Sequence, residues 1–203
     1  MQTVLHQSQQ VTPSKVVCVG RNYRKHIEEL DNEVPSEPVV FVKPNSAITR
    51  EIRFMPGEDV QYEAELSFMV KNGEFTALAL GLDFTKRKLQ KSLSSNGLPW
   101  ERSKAFDGSA AFSEFVELND ELNDLSFEFL LNGKSVQKGS VDQMIYKPEF
   151  LLKHISEFMT FDDGDILMTG TPKGVGGFTS GDIFEGKVFA KDRQIIECGW
   201  RVE

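Results

Sequence analysis

The chain has 203 residues, 39% of them hydrophobic and 16 of them phenylalanine, enough to bury a sizeable core, and the composition excludes a disordered chain. Its formal net charge is -8, and no lysine- and arginine-rich stripe interleaved with aromatics offsets that field, which excludes nucleic acid as an expected partner. An acidic protein can still take a small anion if a metal ion, a lysine or an arginine gives the pocket a positive centre.

Residues 1–15, MQTVLHQSQQVTPSK, read as a polar arm without the continuous apolar stretch of a signal peptide, and no later segment approaches membrane-spanning length. A cytoplasmic protein with no membrane partner is expected. Residues 16–203 show no compositional break or linker and read as a single domain. KVVCVG is a buried strand ended by Gly20, and NYRKHIEEL has helical spacing with Asn22 placed as its cap. VVFVKP is an apolar run stopped by Pro44. VQYEAELSFMV and FTALALGL are two strands around Asn72-Gly73, a favoured hairpin turn, and the pattern from Thr85 to about Ser95 is helical. LSFEFLL and KSVQKG form a second hairpin around Asn132-Gly133, PEFLLKHISEFM is an amphipathic helix, and DILMTG, DIFEGKVFA and QIIECGWRVE are strands. The sum is a strand-dominated, mixed α/β fold without the long strand–helix alternation of a doubly wound sheet. Cys18 and Cys198 have no cysteine or histidine partner at metal-ligand spacing and read as reduced, structural thiols.

Val60, Tyr62, Ala64, Leu66, Phe68 and Val70 are all apolar, so Glu63 and Glu65 share the opposite face of that strand. Two carboxylates roughly 6.5–7 Å apart along a strand repel unless they are solvated or bridged by a cation. Alone, the pair fits a solvated face. Asp83 follows directly on ALALGL, where it is placed either to cap the next helix or to be a third ligand. Three hard oxygens from two strand regions suit Mg²⁺ and leave coordination positions for water or substrate, whereas no nearby Cys or His favours zinc. Arg87 and Gln90 lie four and seven residues beyond Asp83, either on a solvated helix face or beside the carboxylates to fix a substrate carboxylate. His26 and Glu29, three apart on the first helix, are an exposed pair or a carboxylate-oriented general base. TGTPKGVGGFTSGD lacks both common phosphate-loop spacings and reads as a loop offering backbone N–H groups and the Thr171 hydroxyl to an oxyanion.

The ordered phrases GRNYRKHIEEL, FVKP, YEAEL, LDFTKRKLQ, GLPWERSKAFD and GDILMTGTPKGVG together resemble the fumarylacetoacetate hydrolase superfamily, in its short, single-domain branch of acylpyruvases and oxaloacetate decarboxylases. The resemblance implies a C-terminal-domain-like fold with a rolled β-sheet, a homodimer, and Mg²⁺, with Mn²⁺ as a substitute, held by Glu63, Glu65 and Asp83. It implies His26 and Glu29 as a catalytic dyad on a lid, Lys104 as the active-site lysine, and Arg21, Arg87, Gln90 and Thr171 as substrate contacts. Lys88 departs from the pattern, standing where members commonly carry an acid. The implied activity is metal-dependent C–C cleavage in short 2-oxo acids, by acylpyruvate hydrolysis or oxaloacetate decarboxylation. The alternatives are an oxaloacetate tautomerase, an isomerase or decarboxylase of aromatic catabolism, and a non-catalytic metal- or ligand-binding domain.

Overall fold

The computed structural model describes residues 1–31 and 33–203. Its principal strands are β1 (Lys15–Gly20), β2 (Val39–Pro44), β3 (Val60–Tyr62), β4 (Ala64–Lys71), β5 (Glu74–Asp83), β6 (Leu125–Leu131), β7 (Lys134–Ser140), β8 (Ile166–Met168), β9 (Ile183–Ala190) and β10 (Arg193–Arg201). Its helices are α1 (Arg24–Glu29), α2 (Arg87–Ser95), α3 (Glu101–Lys104) and α4 (Pro148–Ser156). Both predicted hairpins form, and Asn72, Gly73, Asn132 and Gly133 all take positive φ, the twist that a two-residue turn needs to match its strands.

A large mixed sheet runs β2-β1-β8-β4-β5, continues through Ala110–Phe112 to Ile48–Thr49, and curls into a half-barrel. β1 and β8 are parallel, while the central β4–β5 pair is antiparallel. A second, antiparallel sheet runs β7-β6-β9-β10. The two sheets enclose the main core, where Leu66, Leu80 and Leu82 meet Phe127, Phe129 and Phe184. A Cβ at Gly186 would lie 2.1 Å from Leu80 Cδ2, so glycine lets the sheets approach at that point.

The alternation in β4 correctly directs Leu66 and Phe68 into this core, but the other face is not solvated. Met69 packs there with Val16, Cys18 and Ile166, beneath Phe115 and Val4. Val4 belongs to a two-stranded ribbon, Val4–His6 with Gln9–Val11, so the N-terminal segment is folded onto the sheet. On β1, Val17 and Val19 pack with Leu151 and Ile155 of α4. Among the described residues no helix is long and apolar enough to cross a membrane.

Three local expectations change. The stretch expected as one strand from Val60 to Val70 divides at Glu63, because β3 pairs with Thr85–Lys86 and Gly176–Gly177 in a separate small sheet. The helix expected from Thr85 therefore begins only at Arg87, and Asp83 ends β5 instead of capping it. Asn22 does not cap α1, whose N-cap is Tyr23 without a side-chain bond. Its amide donates to the Tyr146 and Thr169 carbonyls and accepts from the Tyr146 N–H, joining three chain segments.

Candidate active site

Glu63, Glu65 and Asp83 meet because β4 and β5 run side by side. Glu65 is opposite Gly81, and the Asp83 N–H donates to the Glu63 carbonyl at 2.8 Å. One oxygen from each carboxylate can be chosen so that all three lie within 4.8 Å of one another. The residues are 4%, 2% and 1% exposed, which overturns the solvated-face reading: three buried acids this close require cations.

Lysine and arginine side chains supply them. Lys104, delivered by α3, donates to Glu63 Oε2 at 2.7 Å, Asp83 Oδ2 at 2.7 Å and Thr85 Oγ1 at 2.6 Å. Burial alone would lower its pKa, but Asp83 and Glu63 raise it above the ordinary lysine value and keep it an ammonium. Burial would likewise raise the Glu63 carboxyl, yet Lys104, Arg87 and His26 outweigh it and hold that group well below the usual carboxylate range. Glu65 goes the other way. Burial, then the Asp83 and Glu63 charges, push its carboxyl well up against the pull of Lys104 and the Gly170 N–H.

Lys43, at the end of the apolar run Val39–Val42, is fully buried and lies 2.9 Å from Asp83 Oδ1. It also donates to the Phe84 and Lys104 carbonyls. Sequence reasoning assigned it no role, although a lysine within VVFVKP was itself the signal. Asp83 Oδ1, though buried, accepts no directed hydrogen bond. That oxygen, the hard three-carboxylate donor set and the upward pressure on Glu65 fit a divalent cation that prefers oxygen ligands.

Arg87, at the first turn of α2, donates to Gln61, Gln90 and Glu63 Oε1. It reaches the carboxylates because Lys86 and Thr85 pair with β3, not by helical spacing from Asp83. His26 Nδ1 lies 3.1 Å from Glu29 Oε2, while its Nε2 lies 4.0 Å from Glu63 Oε1. The Gly170 N–H donates to Glu65 Oε2 at 2.7 Å, and the Gly174 N–H to Glu29 Oε1 at 2.9 Å. The glycine-rich loop thus offers these N–H groups to carboxylates of the protein. Thr171 Oγ1 donates to the Ala64 carbonyl and accepts from Gln137 Nε2, so it presents an acceptor lone pair to the space beside it. Gln137, another residue that sequence reasoning missed, also accepts from the Ala64 N–H and donates to the Pro172 carbonyl.

All ten site residues named from the sequence, Arg21 included, line one cavity of about 570 Å³. Trp100, the polar face of α2, Asp31 and the apolar Val19, Ile27 and Leu30 also line it.

Residues 15–201 match the family model described as fumarylacetoacetate (FAA) hydrolase C-terminal. The chain belongs to this family. It is 36% identical to oxaloacetate tautomerase YcgM of Escherichia coli (strain K12), over 83% of this chain and 85% of that one. It is 34% identical to a mitochondrial oxaloacetate decarboxylase of Dictyostelium discoideum, over 93% and 89%. Among solved structures, fumarylpyruvate hydrolase from Pseudomonas aeruginosa, in complex with Mn²⁺ and pyruvate, superposes with a TM-score of 0.89 at 27% identity, covering 99% of this chain and 95% of that one. These relatives are enzymes of small oxo acids, and the rolled, strand-dominated fold expected from the sequence is the fold that this family has.

Proposed function

We propose that this member of the family is a divalent-metal enzyme, using Mg²⁺ or Mn²⁺, that acts on short 2-oxo acids beside the 2-oxo group, and that keto–enol tautomerisation of oxaloacetate is the reaction its residues support best. One observation carries the reading: a buried carboxylate triad and an oriented imidazole open onto the same cavity. Glu63, Glu65 and Asp83 would hold the ion. Bound there, it supplies a Lewis-acid pole that draws electron density from a 2-oxo carbonyl.

The chain's own residues perform the proton work. Glu29 accepts the Nδ1 proton of His26, which assigns the tautomer and leaves the Nε2 lone pair on the cavity side. Nε2 takes a proton from C3 of the keto acid, the Glu29 carboxylate stabilises the imidazolium, and the proton then passes to the 2-oxygen, leaving protein and charge unchanged. Lys104 and Arg87 keep Glu63 ionised so that it can act as a ligand. The similarity to the E. coli tautomerase supports this reaction.

A second reading, C–C cleavage, is supported by the fold shared with the fumarylpyruvate hydrolase. There Nε2 would take its proton from a water attacking the distal carbonyl; decarboxylation would need no such water. A non-catalytic binding domain is disfavoured, since it has no use for a paired histidine base in the cavity. We also propose a cytoplasmic homodimer whose catalytic unit is residues 16–203, in keeping with a family match that begins at residue 15.

A panel of oxaloacetate, acetylpyruvate and fumarylpyruvate, each with Mg²⁺, with Mn²⁺ and after dialysis against a chelator, tests the reading. Metal-dependent loss of the enol absorbance of oxaloacetate is expected. Undiminished activity in the chelated protein, or no turnover of any of the three, would sink it.

A further inference from the structure

The cations around the cavity differ in one respect: most are already engaged by the protein. Arg87 is held by Gln61, Gln90 and Glu63. Lys104 has three acceptors in Glu63, Asp83 and Thr85. Lys43 faces Asp83 and two backbone carbonyls. Engaged in this way, these groups set the charge of the carboxylate cluster, and Lys104 has no N–H left for an incoming anion.

Arg21 also lines the cavity, and α2 supplies two more cations, Lys88 and Lys91. Its sequence, RKLQKSLSS, contains no acid, and six of its nine residues, Arg87, Lys88, Gln90, Lys91, Ser94 and Ser95, line the cavity. Among the described residues, the side chains of Lys88 and Lys91 form no hydrogen bond, ion pair or ring contact, and both are exposed. Lys91 stands one turn beyond Arg87, about 6 Å along the axis from a residue that touches the carboxylate cluster. Its four-carbon stem can place the ammonium over a substrate whose oxo-acid end lies on that cluster.

We propose that Lys91 is a specificity residue: it receives the second carboxylate of a dianionic 2-oxo acid, with Lys88 adding to the attractive field at the rim. The proposal deepens the functional reading above and rests on it. A mono-anionic 2-oxo acid gains nothing from Lys91. A dianion gains a charge-assisted contact at the end remote from the reacting carbon, so the contact tightens binding without altering the proton transfer.

The test compares oxaloacetate with acetylpyruvate, which lacks the second carboxylate, in wild type, Lys91→Met and Lys91→Arg, all loaded with Mn²⁺. Lys91→Met should raise KM for oxaloacetate about tenfold with kcat changed by less than about threefold, and leave KM for acetylpyruvate within about twofold. Lys91→Arg should restore most of the loss. Equal changes for both substrates would assign Lys91 a structural role and overturn the proposal, as would no change for either.

If wild type turns over neither substrate, the functional reading fails, and Lys91 is then judged by binding alone. Calorimetric titration of the Mn²⁺-loaded protein with 2-oxoglutarate and with 2-oxopentanoate, which differ by one carboxylate, should show a preference for the dianion that Lys91→Met abolishes. Equal affinity for the two in wild type, or a preference that survives in the variant, would overturn the proposal.

Discussion

Glu65 shows how one buried side chain can favour ligand binding while working against the fold. Its carboxyl is pushed well up by burial and by Asp83 and Glu63, so ionising it costs free energy in the metal-free protein. Because its folded pKa lies above the unfolded value, stability is greatest below the unfolded value and falls as pH rises through the folded one. Glu65→Gln removes that cost together with one of the proposed metal ligands. At neutral pH in chelator the variant should melt above wild type, while Mn²⁺ should raise the melting temperature of wild type and leave the variant unmoved. Differential scanning calorimetry with and without the ion reads both effects; an ion-induced shift retained in Glu65→Gln would remove that residue from the ligand set.

Between elements, single polar groups hold segments that are distant in sequence. Asp165 sits just before β8 and accepts from the Ser14 N–H at 2.8 Å, the Lys15 N–H at 3.1 Å, the Asp162 N–H at 2.9 Å and the Lys15 ammonium. Burial would raise its carboxyl, but the hydrogen bonds from Lys15, Asp162 and Ser14 outweigh this and lower it. A depressed folded pKa contributes stability above the unfolded value, near 3.9, that is lost as pH falls through the folded one. Asp165→Asn should cost about 1–3 kcal/mol at pH 7, and urea titrations should show the gap to wild type closing as the medium is acidified below about pH 4. Gly174 is constrained differently: φ is +101°, and an added Cβ would stand 2.1 Å from the Val136 carbonyl oxygen. Gly174→Ala should destabilise by about 1–3 kcal/mol through overpacking and lower kcat more than it weakens metal binding, because it displaces the donor to Glu29. Unchanged kcat would show that the loop does not position the dyad.

Much of the whole molecule was legible in the chain. The alternation in β4, the two Asn-Gly turns and the pattern of α4 come from local periodicity, which reports which face is apolar. The triad was legible as a set of candidates for the same reason, since its spacing follows from two adjacent strands. Periodicity could not report that the second face of β4 is covered, because the residues that cover it, Val4 and Phe115, lie far from it in sequence. Nor could it assign Lys43 to Asp83, or Gln137 to the Ala64 amide 73 residues away. Such pairings exist only once the sheets have closed. The proposed homodimer belongs to this scale as well: light scattering should give about twice the 22.9 kDa of the chain, and a monomer mass at micromolar concentration would refute it.

The Gly174 N–H on Glu29 also bears on how the cavity can open. His26 and Glu29 share α1, so their hydrogen bond is internal to one short helix and travels with it. The bond to Gly174 spans two separate segments and is the one that breaks if α1 moves away from the loop. The His26–Glu29 pair, the proposed base, is therefore assembled within α1, and Gly174 anchors its carboxylate to the loop. Were α1 to leave the loop, His26 would keep its Glu29 partner while that carboxylate lost its anchor at Gly174.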